Sequence, residues 1–91
     1  MPPTYKQLGD LISVGPAILR DFELLGIRSV PELAKRDPKR MYLELQRRTG
    51  LRQDPCVLDT FVAAVEQARN PRLPAEKCRW WYWSRLRKAE A

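Results

Sequence analysis

Leu11-Ile12-Ser13-Val14-Gly15-Pro16, followed by Leu24-Leu25-Gly26-Ile27, is the stretch on which the fold turns. It ends one apolar-faced segment, passes through a turn of a few residues and restarts on a proline. Proline suits the first position of a helix, where its missing N–H would have no intrahelical acceptor anyway. Ile18, Leu19, Phe22 and Leu25 then recur at helical spacing and mark the buried stripe of this second helix. Gly26 stands just past its end, where a left-handed backbone is wanted. Upstream, Thr4 and Gln7 have the spacing of a capping box. A first helix is therefore predicted from about Tyr5 to Leu11, with Leu8, Leu11 and Ile12 inward. A tight turn that opens a helix exposes backbone N–H groups and the positive end of the helix dipole, a setting that suits an anion.

The same punctuation continues downstream. Ser29-Val30-Pro31-Glu32 is a second capping box and opens a short helix through Leu33 and Ala34. Asp37-Pro38 and Asp54-Pro55 each combine an N-cap with a proline at the first helical position. The helix after Pro38 turns Met41, Tyr42 and Leu45 inward and stops at Gly50. The longest helix, from about Pro55 to Ala68, buries Val57, Leu58, Phe61, Val62 and Val65, and Asn70-Pro71 ends it. No stretch alternates with period two over strand length, so the fold class is all-α.

The order is helix, hairpin, helix, connector, helix, turn, helix. It resembles a tandem helix-hairpin-helix domain of about five helices, here over residues 1–70, in which two helical hairpins pack as a pseudo-dimer. The second hairpin would be Thr49 to Asp54, longer than the first and with one glycine, hence degenerate. Residues 71–91 are predicted to be a basic, Trp-rich C-terminal extension packed at least partly on that domain. Residues 72–91 hold six of the 17 basic residues, two acids and all three tryptophans.

Composition narrows the function classes. Ninety-one residues make one small domain, and a net charge of +6 favours an anionic partner, nucleic acid first. Two cysteines are too few for a disulfide scaffold and match no zinc spacing. There is no histidine to act as general base or metal ligand, so no enzyme activity, cofactor or metal site is expected. Cys56 stands in the first turn of the longest helix, where a thiol's pKa can fall, although a thiol packed beside Val57 is the simpler expectation. No apolar run reaches membrane-spanning length and no leader is visible, so a cytoplasmic location is expected, with no membrane or small-molecule partner.

Asp54-Pro55-Cys56-Val57-Leu58-Asp59-Thr60-Phe61, taken with Leu25-Gly26-Ile27-Arg28-Ser29-Val30, Ile12-Ser13-Val14-Gly15-Pro16 and the late Trp80-Trp81 pair, is more specific than a generic hairpin. Together they resemble the small bacterial "pathogenicity locus" helix-hairpin-helix family, whose members are sometimes labelled mitomycin-resistance proteins. The resemblance spans roughly residues 5–83. It implies a helix-hairpin-helix fold and, through the wider superfamily, DNA binding. One departure stands out: generic DNA-binding hairpins prefer glycine where this chain has Ser13.

The expected partner is DNA, bound through phosphates with little sequence preference. Candidate phosphate-binding residues are Ser13, Val14, Gly15, Ala17 and Arg20, with the N–H of Ile18 beside them and Lys6 flanking. Glycine at 15 allows positive φ and close backbone approach, and the Ser13 hydroxyl is placed either to cap the second helix or to donate to phosphate. Seven basic residues fall between Lys35 and Arg52, and Arg52 is expected near the first hairpin as part of a basic patch. The alternative for such a run is an ordinary solvated helix face. Asp59 is read as a partner for Arg52 or for the hairpin. Trp80, Trp81 and Trp83 either stack on unpaired bases, dock on the core or meet a protein partner. Docking is expected for at least one of Trp80 and Trp81. The alternative function is a protein-interaction module, with a partner in DNA repair and no direct DNA contact.

Overall fold

The computed structural model describes residues 7–90. The N-cap expected at Thr4, the helix start expected at Tyr5 and the flanking Lys6 lie outside the described residues. Among the described residues the chain is all-α, with no strand. Its α-helices are α1 (Pro16–Leu24), α2 (Val30–Ala34), α3 (Pro38–Thr49), α4 (Pro55–Arg69) and α5 (Trp80–Glu90), and 3-10 turns cover Leu8–Asp10 and Ala75–Cys78.

The described part of the predicted first helix is only a 3-10 turn. Asp10 accepts the Gln7 N–H (3.0 Å), a local bond that competes with helix continuation, and Gly9 lowers helix propensity within it. The predicted glycine stop of α1 is present: Gly26 has φ 74°, and Ile27 N–H reaches the Phe22 carbonyl at 2.9 Å while Gly26 N–H reaches Glu23. These two bonds are the Schellman pair. At α2 half of the capping box forms, because Ser29 accepts the Glu32 N–H but Glu32 reaches past it to the Arg28 N–H (2.7 Å). Asp37 caps α3 by accepting from Lys39 and Arg40, and Gly50 closes that helix at φ 69°. Asp54 caps α4 by accepting from Cys56 at 2.8 Å.

α4 is the central helix. Its first eleven residues carry a single charge, Asp59, and a helix so apolar is buried on more than one side. One side, with Phe61, Ala64 and Val65, joins Phe22, Leu25, Ile27, Leu33, Met41 and Leu45 in the core. The Phe22 and Phe61 rings meet tilted at 5.8 Å. Its other side is covered by α5, the largest interhelical contact in the molecule. Leu19 departs from its predicted place in the buried stripe: it is 37% exposed, with its side chain beside Gly9 of the short Leu8–Asp10 turn.

α5 extends the helical fold beyond Asn70. Ser84 is buried against the body, and Arg87 makes a forked ion pair to Asp59 with contacts of 3.0, 3.3 and 3.1 Å. Asp59 is 2% exposed, so this pair joins the two helices where water hardly reaches. The expected Asp59–Arg52 pairing gives way to Asp59–Arg87.

Candidate nucleic-acid interface

The turn before α1 is held from outside. Ser13 takes the left-handed conformation, φ 73°, while Gly15 is extended at φ −107° and ψ −175°. The positive φ that a glycine at 15 allows is found at Ser13 instead. A left-handed L-residue is strained by about 1–2 kcal/mol and persists where its surroundings fix it. Here the Ser13 hydroxyl donates to the Cys78 carbonyl (3.0 Å) and accepts the Trp80 N–H (3.2 Å), satisfying the first N–H of α5. Gln67, fully buried on α4, clamps the neighbouring residue. Its Oε1 accepts the Ile12 N–H at 2.9 Å, and its Nε2 donates to the Ile12 carbonyl at 2.8 Å and also reaches Ala63 and Cys78. Sequence reasoning missed Gln67. Its signal was the helical spacing of Thr60, Ala63 and Gln67, a second inward face of small and polar residues.

With the Ser13 hydroxyl committed inside the chain, neither capping of α1 nor donation to phosphate describes its role. Val14 N–H is also engaged, donating to the Leu11 carbonyl at 3.3 Å. The N–H groups of Gly15, Ala17 and Ile18 have no acceptor among the described residues, while Leu19 N–H returns to the Gly15 carbonyl. α2, α3 and α4 carry a side-chain cap from Ser29, Asp37 and Asp54, and α5 is served by Ser13, whereas α1 has no side-chain cap. Gly15 itself needs no glycine for its backbone, and a Cβ placed there meets nothing within 4 Å. Arg20, one turn along α1, is exposed and has no ion-pair partner among the described residues. Next to it Asp21 is half-buried, and that burial raises its carboxyl above the ordinary value against the opposing pull of Arg20.

The second turn is built differently. Thr49 Oγ1 accepts from Leu51 and Gln53, Gln46 accepts the Gln53 N–H, and Tyr42 donates to the Gln53 carbonyl. At the start of α4 the Asp54 carboxylate already fills the anion position. The Cys56 N–H bond holds it below the ordinary carboxylate range, and Asp54 in turn pushes the Cys56 thiol up. The fall that a thiol in a first helical turn can show is thus reversed by the capping carboxylate. Arg52 is exposed but does not lie beside Gly15. Ile12 attaches near the end of α4 and Arg52 precedes its start, so about 18 Å of helix axis, Pro55 to Gln67, separates the two turns.

The basic run divides as well. Glu44 draws in Arg36 (3.0 Å) and Arg48 (3.4 Å), and Arg36 also donates to the Leu25 carbonyl. Lys35, Arg40 and Arg47 line an open groove of about 610 Å³ shared with Asp37 and Glu44, so that surface is mixed in sign. The docking expected of Trp80 or Trp81 falls to Trp83 instead. Trp80 and Trp81 are 38% and 40% exposed. Trp83 is the one that docks, with its Nε1 donating to the Lys77 carbonyl (2.7 Å) and Tyr82 edge-on at 5.1 Å. Arg85 lies over the Trp81 ring, 4.6 Å from its centre. The bond between Ser13 and Trp80 brings this exposed pair beside the first turn. Among the described residues no group of acids and cysteines could hold a metal ion, and no helix is long and apolar enough to cross a membrane.

These features define a small, basic, all-helical protein whose turn at Ser13–Gly15 is stitched to a C-terminal aromatic helix. The chain belongs to the family described as Pathogenicity locus (Cdd1), which it matches over residues 3–89. It is 41% identical over 83 residues to "Mitomycin resistance protein McrB" of Streptomyces lavendulae, a match covering 91% of this chain and 75% of that protein. No solved structure matches the chain.

Proposed function

We propose that this protein binds DNA without catalysis and with little sequence preference, using the segment from Leu8 to Leu24 as a helix-hairpin-helix unit. The observation that carries the proposal is the start of α1. Three N–H groups there lack an acceptor among the described residues, the side-chain bond found at the other α-helix starts is missing, and Gly15 leaves open space where a Cβ would stand. A phosphate oxygen is the ligand that such a site accepts. Arg20 supplies a charge one turn away, and the net charge of +6 draws a polyanion to the surface. Arg52 stands apart from this site, at the far end of α4. That the protein is not an enzyme rests on a sequence without histidine. A DNA ligand implies a cytoplasmic location, and the resistance in the relative's name fits an accessory role in DNA repair.

The test is fluorescence anisotropy of a labelled duplex at several salt concentrations. Contact with about three phosphates gives a salt slope near −2.7, so affinity should fall about 40-fold between roughly 50 and 200 mM salt. Gly15→Val should weaken binding about ten-fold while the melting temperature moves by only a few degrees, since the extended backbone at Gly15 suits valine. Unchanged affinity in a folded Gly15→Val, Arg20→Ala double variant would exclude this turn as the contact.

One observation favours a second reading, a protein-interaction module. Leu58 and Val62 of α4 and Trp83 and Leu86 of α5 line an open apolar groove of about 400 Å³. Absence of any DNA binding at low salt would move the function to that surface.

A further inference from the structure

We infer that the surface formed by Trp80, Trp81 and Arg85 beside the first turn selects unpaired DNA, so that a single strand or a frayed end is preferred over intact duplex. This rests on the DNA-binding function proposed above and names the form of DNA that the same region takes.

Three observations point there. First, two large flat side chains are presented to solvent at the start of one helix, 38% and 40% exposed, although the third tryptophan of the run is held down by its bond to the Lys77 carbonyl. Second, the surroundings are cationic. Among the described residues only Arg87, of the six basic residues between Arg72 and Lys88, is consumed by an ion pair with an acid, and Arg79 and Arg85 are exposed beside the aromatic pair. Trp81, Arg85 and Lys88 follow at i, i+4 and i+7, which places them along one face of α5. Third, the Trp80 N–H is bonded to the Ser13 hydroxyl at 3.2 Å, so the platform is continuous with the turn that carries the N–H groups of Gly15 and Ala17.

The chemistry follows from that combination. Indole rings stack on the faces of nucleobases, and in a duplex those faces are already stacked on each other. A strand with unpaired bases offers faces to Trp80 and Trp81 while its phosphates meet Arg79, Arg85 and the start of α1. Arg85 already lies over Trp81, and its planar guanidinium can remain stacked while its N–H groups turn to phosphate. An acidic peptide would satisfy the cations but has no series of flat faces for two adjacent indoles, so unpaired DNA fits this surface more completely.

The experiment compares the full-length protein with a Trp80→Ala, Trp81→Ala variant on two probes, a labelled oligothymidylate and a labelled duplex, under one low-salt condition. The wild type should bind the oligothymidylate more tightly, with quenching of tryptophan emission. The variant should lose at least ten-fold in affinity for the single strand, the equivalent of about one stacked base, and less than two-fold for the duplex. Circular dichroism checks that it folds. If it does not, Trp81→Ala alone decides, since no hydrogen bond holds the Trp81 side chain. Duplex binding without single-strand preference, or a folded variant that binds the single strand as the wild type does, overturns this inference and leaves the phosphate contact standing. No binding to either probe overturns both.

Discussion

Replacing Ser13 separates two effects that the structure superimposes at one residue. Ser13→Ala keeps a Cβ in the left-handed backbone and removes both hydroxyl bonds, the one donated to Cys78 and the one accepted from Trp80. At about 1 kcal/mol for each bond the loss is about 2 kcal/mol, the Cys78 carbonyl keeping its contact with Gln67 Nε2. In a domain of this size 1 kcal/mol moves the melting temperature by about 4–8 °C, so alanine should lower it by about 8–16 °C. Ser13→Gly removes the same bonds but also the left-handed strain of about 1–2 kcal/mol, partly offset by the greater freedom of glycine in the unfolded chain. The glycine variant should therefore melt about 5 °C above the alanine variant, though still below the wild type. Thermal unfolding followed by far-UV circular dichroism measures both. If the two variants melt together, positive φ at Ser13 contributes nothing. If alanine melts with the wild type, the link to α5 is not a stabilising contact.

Other substitutions test the remaining supports. Gln67→Leu leaves the Ile12 N–H and carbonyl without their buried partner, and at about 1–3 kcal/mol for each group it should cost about 2–6 kcal/mol in chemical denaturation. Arg87→Ala strands Asp59 in the interior. Buried pairs lose about 3–5 kcal/mol when one partner goes, and because Arg87 is itself 33% exposed the expected loss is nearer about 2 kcal/mol; an Asp59→Leu, Arg87→Met double variant should recover most of it. Two acids should give opposite pH signatures in the dependence of melting temperature on pH. Asp54 has its pKa lowered by folding, so its contribution is present above the ordinary value of 3.8 and fades as pH falls through its lower folded value; Asp54→Asn should remove that fall. Asp21 has its pKa raised, so the folded chain binds the extra proton above 3.8 and loses stability as pH rises through the folded value; Asp21→Asn should be neutral to stabilising at pH 7, an effect that shrinks in acid.

What the sequence made legible was local chemistry. Asp37-Pro38, Asp54-Pro55, Ser29, Gly26 and Gly50 each set a helix boundary through atoms within a few residues, and each boundary lies where those residues place it. The family could be named from the same stretches. What stayed hidden involved partners far apart in the chain. α5 lacks a local capping residue because its first N–H is satisfied by Ser13, 67 positions away, and its aromatic opening has no strong helix propensity. Gln67 reads as a surface residue until Ile12, 55 positions distant, is placed against it. Asp59 looked unexplained because Arg87 lies 28 residues on. In the candidate site, Gly15, Ala17 and Arg20 stayed together, Val14 and the Ser13 hydroxyl were taken up by internal bonds, and Arg52 moved to the opposite end of α4.

The exchange between Ser13 and Gly15 explains why a serine stands in the turn. A glycine at position 13 would adopt the left-handed backbone without help and leave the turn free to fluctuate. Serine is strained there, and the bonds to Cys78 and Trp80 that hold it come from the segment that opens α5. The turn is thereby fixed through tertiary contacts, and Gln67 fixes Ile12 in the same way. Ordering a turn in advance removes an entropic cost from any later binding step. It also ties the direction of the Gly15, Ala17 and Ile18 N–H groups to the seating of α5 on α4. Loss of the Asp59–Arg87 pair, which lies far in sequence from all of those donors, should therefore weaken an anion held at the start of α1 without touching it. A local, glycine-built turn would show no such dependence.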